Sequence, residues 1–212
     1  MTHKVLQVKH YNDSAFVLRM ERNDFDFSPG QYISVGKNGI KERRDYSIYS
    51  SSADDYLELL IKKVDGGDVS DKLSECEIGE ELDLEGPFGN CIVLKKYRNK
   101  KILLVATGTG IAPYHSIVRS YPDLNYTVLH GVKTLDQLYG QEAFPPDRYI
   151  SCLTGSHEGG FFGRVTDYLR VHSVKNYDLF YLCGNSEMIF EAFKLLQIQG
   201  IQREQIVTEI YF

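Results

Sequence analysis

The run Leu103–Ile117, LLVATGTGIAPYHSI, begins as an unbroken apolar stretch and changes character within three residues. The stretch Ile102–Thr107 predicts a strand buried on both faces, as in a parallel sheet. Gly108-Thr109-Gly110 follows, and a helix is expected to begin around Ala112-Pro113. The two glycines allow backbone to approach a ligand closely. Unpaired N–H groups and the dipole at a helix start then favour an anion such as a pyrophosphate. Pro113 suits the first helical turn, because it has no N–H to leave unsatisfied. Taken alone, the turn is ambiguous: GTG is not a full GxGxxG, and a strand-to-helix turn also needs glycine for steric reasons.

Downstream of this motif the pattern repeats. Tyr126–Val132, Arg148–Leu153 and Leu179–Gly184 read as strands with helical segments between them. The longest helix is expected to start at Ser186 as N-cap, to carry Met188, Ile189, Ala192, Phe193, Leu195 and Leu196 at helical spacing, and to end at Gly200. IVTEIYF then closes the chain as a strand. Such alternation predicts a mainly parallel sheet covered by helices. A second glycine site, Tyr181-Leu182-Cys183-Gly184-Asn185, also falls at a strand's carboxyl end, where ligands of open α/β sheets bind.

Upstream the pattern is different. VLQVKH, AFVLRME, QYISVGK, RDYSIYSS, YLELLIKKV and ELDLEGPFG are short β-like runs, broken by Ser28-Pro29-Gly30, Lys37-Asn38-Gly39, Asp65-Gly66-Gly67 and Gly86-Pro87. Strands at this spacing predict a closed antiparallel barrel in preference to a sandwich. The fold class is therefore β plus α/β. The boundary is expected in the charged stretch Lys95–Lys101, with a barrel domain over residues 1–97 and an α/β domain over 98–212.

The whole chain has 212 residues, 42% of them hydrophobic and 25% charged, the balance of a protein with a packed core. Its net charge is −5, and the excess acidity lies before Tyr97, with 13 Lys and Arg against 18 Asp and Glu. Nucleic-acid binding is disfavoured on that balance. Basic clusters persist at Lys37, Lys41, Arg43 and Arg44, at Lys62 and Lys63, and along Lys95, Lys96, Arg98, Lys100 and Lys101. Cys76, Cys91, Cys152 and Cys183 are scattered without metal-ligand spacing, which argues against a disulfide framework, a metal site or a built-in iron–sulfur cluster. No apolar run is long enough to cross a bilayer, and the amino end lacks a signal-like apolar region; a cytoplasmic location without membrane association is expected.

Six motifs appear in order: Arg44-x-Tyr46-Ser47-x-x-Ser50, Gly66-Gly67-Asp68-Val69-Ser70, Gly86-Pro87-Phe88-Gly89, Gly108-Thr109-Gly110-Ile111-Ala112-Pro113, Cys183-Gly184-Asn185 and Glu209-Ile210-Tyr211. Together they resemble the ferredoxin–NADP⁺ reductase family over nearly the whole chain. The resemblance implies a flavin-binding barrel followed by a nicotinamide-nucleotide domain. It implies FAD more than FMN, because two phosphate-contact elements lie in the first half. It assigns Arg44 to the flavin pyrophosphate, Tyr46 to the isoalloxazine or ribityl side, Ser47 to the N5 edge, and Ser50 to the same flavin strand. A guanidinium suits phosphate, a flat ring stacks on a flat ring, and a hydroxyl can hydrogen-bond near a hydride acceptor. Gly67, Val69 and Ser70 would form a second phosphate contact, although Asp65-Gly66-Gly67 would make a tight turn regardless.

On the nucleotide side the same resemblance implies contacts from Thr107, Gly108, Thr109, Gly110, Pro113, Lys133, Arg164, Cys183 and Gly184. Cys183, Glu209 and Tyr211 join Ser47 as transfer-site candidates, with Tyr211 or Phe212 covering the flavin face. Read without the resemblance, EIYF is an alternating strand and Cys183 a small core residue. The loop Thr154-Gly155-Ser156-His157-Glu158 lacks the arginine that often meets a 2′-phosphate, while Lys133 and Arg164 hold the other cationic positions. NADP(H) is preferred on that basis, with NAD(H) open. The implied activity is hydride exchange between NAD(P)H and flavin and single-electron exchange with a ferredoxin or flavodoxin. A reductase component of an oxygenase, a free-flavin reductase and a non-catalytic flavin sensor are the alternatives. Tyr49 stands where a smaller residue is expected in the RxYSxxS strand.

Overall fold

In the computed structural model, which describes residues 2–37, 42–64, 66 and 68–211, the two sequence patterns become two separate sheets. The chain divides into two units, Met1–Ile92 with Ala112–Ser120, and Val93–Ile111 with Tyr121–Phe212.

In the first unit, strands β1 (Thr2–Asn12), β2 (Ala15–Glu21), β3 (Tyr32–Lys37), β4 (Arg44–Ser47), β5 (Tyr56–Lys62) and β6 (Glu81–Phe88) pair in the order β4-β3-β6-β1-β2-β5, all antiparallel. A bridge between Ile48 and Leu59 joins the two edges and closes the barrel. Bringing the two edges together in this way shortens the exposed edge, which is the physical advantage of this solution for a small sheet. β1 serves two neighbours: Thr2–Lys4 pair with β6, and Val5–Asn12 pair with β2 across two register shifts. Alternate residues point inward, and Phe16, Leu18, Met20, Ile33, Leu57 and Leu59 are fully buried. Each such side chain contributes about 1.5–3 kcal/mol through removal from water.

RDYSIYSS is not one strand. Arg44–Ser47 pairs with β3, and the chain then crosses to β5, where the Tyr49 N–H donates to the Glu58 carbonyl at 2.7 Å. The change of partner is what closes the barrel, and it required Ile48 and Leu59 to meet from opposite edges. Helix α1 (Asp68–Ser74) packs on β2 and β3.

Helix α2 (Ala112–Ser120) belongs to this first unit by its packing. His115 Nδ1 lies 2.8 Å from the Tyr49 carbonyl, and the Ser116 hydroxyl donates to the Ser50 carbonyl at 2.7 Å. The Arg119 guanidinium grips both oxygens of Asp54, at 2.8 and 3.0 Å. Tyr49, the unexpected residue of the RxYSxxS strand, is buried flat against His115, with ring centroids 3.7 Å apart and planes 8° from parallel. Its bulk ties the barrel wall to α2.

The second unit holds strands β7 (Lys101–Thr107), β8 (Asn125–Val132), β9 (Tyr149–Leu153), β10 (Phe161–Phe162), β11 (Leu179–Asn185) and β12 (Ile206–Tyr211). They form one parallel sheet in the order β10-β9-β8-β7-β11-β12. Four of these strands and the carboxyl-terminal one match the sequence expectation; β10 is too short to carry a periodic signal. Helices α3 (Val165–Val171) and α4 (Ser186–Ile198) pack on each other and on the sheet. The N-cap of α4 is Asn185, one residue before the Ser186 expected from sequence: its Oδ1 accepts the N–H groups of Glu187 and Met188 at 2.9 and 3.2 Å. The order of strands reverses beside β7, whose successors lie on one side and β11 on the other. That is the switch point at which open α/β sheets leave a crevice outside their carboxyl ends.

Candidate functional site

The crevice is present in the second unit as a pocket of about 610 Å³ along the carboxyl edge of the sheet. β7 delivers Thr107 and Gly108 to it, β8 delivers Gly131, Val132 and Lys133, and the starts of α3 and α4 deliver Arg164 and Glu187. Four residues expected at a nucleotide, Thr107, Gly108, Lys133 and Arg164, are thus gathered in one cavity.

Glycine is required at and beside this wall for two different reasons. At Gly108, φ is +54°, and a Cβ would meet nothing within 4 Å, so backbone conformation and not crowding demands it. At Gly110, a Cβ would stand 2.6 Å from the Cys183 carbonyl oxygen and 2.8 Å from the Gly184 Cα, so contact with β11 demands it. Gly184 fits by the same logic, since a Cβ there would lie 2.5 Å from Thr107 Oγ1. Thr107 Oγ1 also accepts the Asn185 N–H at 3.2 Å, locking β11 to the end of β7.

Lys133 and Arg164 are exposed, and among the described residues neither pairs with a carboxylate. Of the two acids in the pocket, Glu191 is neutralised by Arg170, whereas Glu187 stands at the first turn of α4. Cationic character therefore collects on the β8–α3 side. Unpaired cations beside an open glycine turn suit a ligand bearing phosphates.

Cys183 is fully buried and sits in register between Ala106 of β7 and Glu209 of β12. Asn185 is opposite Tyr211 in the same ladder. The structure so brings the expected pair Cys183 and Glu209 side by side, with Glu209 and Tyr211 half-buried. Thr109 and Gly110 are buried in the turn, and Pro113 is buried in the first turn of α2. Phe212 and Gly67 lie outside the described residues.

On the first unit, Arg44 is exposed; its guanidinium donates to the Arg43 carbonyl, and among the described residues no carboxylate pairs with it. Tyr46 packs half-buried against the barrel core, and burial pushes its phenol up to about 12. Ser47 is buried beside Tyr32 of β3. Ser50 has no exposed surface, and its hydroxyl accepts the Glu58 N–H at 3.0 Å. Val69 packs in the barrel core, and the Ser70 hydroxyl accepts the Val64 N–H at 3.2 Å. An uncompensated guanidinium two residues from a half-buried ring is the feature of this strand that fits a dinucleotide with a flat ring system.

Residues 5–92 match the model of the oxidoreductase FAD-binding domain. The ferredoxin–NADP reductase of Azotobacter vinelandii is 31% identical over 231 residues, a span of 94% of this chain and 90% of that protein. The chain belongs to the ferredoxin–NADP reductase family. The likeness reaches beyond it: the reductase component of propane 2-monooxygenase from Mycolicibacterium smegmatis is 30% identical over 91% of the chain, which spans 61% of that longer protein. The fold agrees with a ferredoxin NADP⁺ reductase from Neisseria gonorrhoeae solved with bound FAD and NADP, at a TM-score of 0.86 over 100% of this chain and 98% of that one, with 23% identity.

Two features of this ferredoxin–NADP reductase family member were not legible as site residues. Asn185 carries the cap of α4, and His130, three residues before Lys133, is fully buried behind the glycine turn. Burial lowers the imidazoles of both His115 and His130 to about 4, opposed by their bonds to the Tyr49 and Gly108 carbonyls respectively. Unfolded imidazoles titrate near 6.5, so below that pH the unfolded chain takes up protons that the folded one refuses. Stability is complete above about 6.5 and falls as pH drops towards 4, with a slope approaching about 1.4 kcal/mol per pH unit for each histidine. Urea unfolding at a series of pH values is expected to show this decline, and the double variant His115→Gln/His130→Gln to flatten it. An unchanged slope in that variant would contradict the assignment.

Proposed function

We propose that this chain is an FAD-dependent oxidoreductase that exchanges hydride with NADPH and passes single electrons to or from a ferredoxin or flavodoxin. The observation that carries the reading is the pocket that assembles Gly108, Lys133 and Arg164 at the carboxyl edge of the second sheet. Flavin, when bound, supplies the interconversion of two-electron and one-electron chemistry. The chain's own residues supply position and charge. Arg44 is proposed for the flavin pyrophosphate, Tyr46 for its ring or ribityl side, and Ser47 for the N5 edge. The backbone of Val69, with Gly67 and Ser70, is proposed for the second phosphate contact. Ser50 keeps to the wall of that site through its bond from Glu58. The glycine turn Gly108–Gly110 takes the nucleotide phosphates, Lys133 and Arg164 the 2′-phosphate, and Cys183, Glu209 and Tyr211 the nicotinamide end, with Phe212 following. The barrel domain is proposed to span residues 1–97 and the nucleotide domain residues 98–212, with the boundary in Lys95–Lys101, and the protein to work in the cytoplasm; no helix among the described residues is long and apolar enough to cross a membrane.

The purified protein is expected to be yellow, to release FAD on denaturation, and to bleach anaerobically with NADPH. A colourless protein that takes up no added flavin would end this reading. Reduction of an acidic carrier protein is expected to slow as salt rises, because the exposed Lys95, Lys96, Arg98 and Lys100 would steer the encounter. Charge reversal at Lys96 and Lys100 is expected to lower the rate at low salt, and a rate indifferent to both salt and reversal would remove this patch from docking.

A second reading has its own support. Glu187 in the pocket can accept hydrogen bonds from ribose hydroxyls and repels a 2′-phosphate, as an NADH-dependent reductase component of an oxygenase would require. The ratio of kcat/KM for NADPH and NADH separates the two.

A further inference from the structure

Gly108 presents a problem of control. With φ at +54° and no neighbour within 4 Å of where a Cβ would be, its peptide is permissive in conformation and is not wedged by a side chain. Yet it borders the pocket in which phosphates are proposed to bind.

The structure holds that peptide from behind. His130, fully buried near the carboxyl end of β8, places Nε2 at 2.8 Å from the Gly108 carbonyl oxygen and Nδ1 at 2.6 Å from the Tyr149 hydroxyl. A carbonyl oxygen can only accept, so the proton of the neutral ring is on Nε2. Nδ1 is then the acceptor, and the Tyr149 hydroxyl donates to it. Donation runs in one direction, from Tyr149 to His130 to Gly108. Tyr149 is itself held, stacked on Phe144 at 5.4 Å between centroids, while Phe144 meets Tyr126 edge-on at 6.5 Å. A trans peptide is planar, with C=O and N–H opposed. Turning the Gly108 oxygen towards the imidazole therefore turns the Thr109 N–H away from it.

Resting on the nucleotide reading above, we propose that His130 is a positioning residue that fixes the Gly108–Thr109 peptide plane in the orientation met by the phosphates of the bound dinucleotide. His130 does not line the pocket and touches no ligand; Tyr149 selects its tautomer. Loss of the bond leaves the turn formed but its donor direction unset, so the effect falls on ligands with a 5′-phosphate and spares those without one.

The test compares NADP⁺ with 2′-AMP, which keeps the adenosine and 2′-phosphate but lacks the pyrophosphate, by titration calorimetry on the full chain. His130→Leu is expected to weaken NADP⁺ about tenfold, the worth of one buried hydrogen bond, and to leave 2′-AMP within about twofold. His130→Gln, whose amide can again donate to Gly108, is expected to recover most of the loss. Equal weakening of both ligands in His130→Leu, or no recovery in His130→Gln, would overturn the proposal. Wild-type protein that binds neither ligand would instead overturn the nucleotide reading, and the inference with it. Should the leucine variant fail to fold, nitrogen NMR of the wild type decides: a protonated Nε2 and bare Nδ1 at His130 are expected, and the opposite tautomer would refute the assignment. Tyr149→Phe, which deletes one oxygen, is expected to bring the second tautomer into the spectrum and to weaken NADP⁺ by a smaller factor than His130→Leu; a spectrum and affinity identical to wild type would also refute it.

Discussion

Gly110→Ala is expected to cost about 1–3 kcal/mol of stability and to abolish measurable nucleotide binding, whereas Gly108→Ala, two residues away, costs stability mainly through its backbone. The added methyl at position 110 would stand 2.6 Å from the Cys183 oxygen, 2.8 Å from its carbonyl carbon and 2.8 Å from the Gly184 Cα. All three are backbone atoms of β11, so no side chain can rotate away. β11 would have to separate from β7, where Leu182 pairs with Val105 and Cys183 with Ala106. Overpacking of this kind falls in the range just given, and the strand that moves carries Asn185 and the pocket wall with it. At position 108 the methyl meets no protein atom, and the cost is that of a non-glycine residue at φ +54°, about 1–2 kcal/mol. Urea unfolding and nucleotide calorimetry on both variants provide the check. Equal stability and affinity in Gly110→Ala and wild type would mean that the close approach of turn and strand is not what shapes the site.

The second large effect is expected on the choice of nucleotide. Removing both pocket cations, Lys133→Ala with Arg164→Ala, should raise KM for NADPH by about ten- to a hundredfold per cation and leave kcat nearly constant. A hydrogen bond to a charged group is worth about 1.5–3 kcal/mol, and 1.4 kcal/mol is a factor of ten. Binding energy felt equally in ground and transition states appears in KM alone. Neither cation is spent on a carboxylate among the described residues, so their charge is available to a phosphate. KM for NADH, which has no 2′-phosphate, should change little, and the preference between the two cofactors should narrow or invert. Parallel losses with NADH and NADPH would move the cations to the pyrophosphate. No change with either would remove them from the site. Glu187→Gln in the same pocket is expected to act in the opposite direction, favouring NADPH, since it removes the acid that opposes a 2′-phosphate.

Much of the architecture follows from local rules. Short β-like runs set off by turn signals in β1 to β6 and continuous apolar runs in β7 and β11 are properties of single segments. Gly108, Gly110 and Gly184 are legible for the same reason, because a chain that turns sharply at the end of a buried strand needs glycine whatever lies beyond. Lys133 and Arg164 are singled out by the family resemblance; local position alone marks them only as charges beside a strand end and a helix start.

The remainder depends on partners far apart in sequence, for which no local pattern exists. Tyr49 meets His115 across 66 positions of chain and His130 meets Gly108 across 22. In each case a ring that reads as an ordinary strand or helix residue acquires its role from the carbonyl it finds. Ser50 is a further case: its hydroxyl answers the Glu58 N–H eight residues on, because an unpaired buried donor is costly. The RDYSIYSS run divides at Ser47 for the same reason, its second half satisfying β5 in place of β3. The sequence by itself determined which segments are strands and helices and where the backbone must turn, since those depend on neighbours within a few residues. Only the tertiary structure decided which buried polar groups answer one another, because that depends on the closing of two sheets.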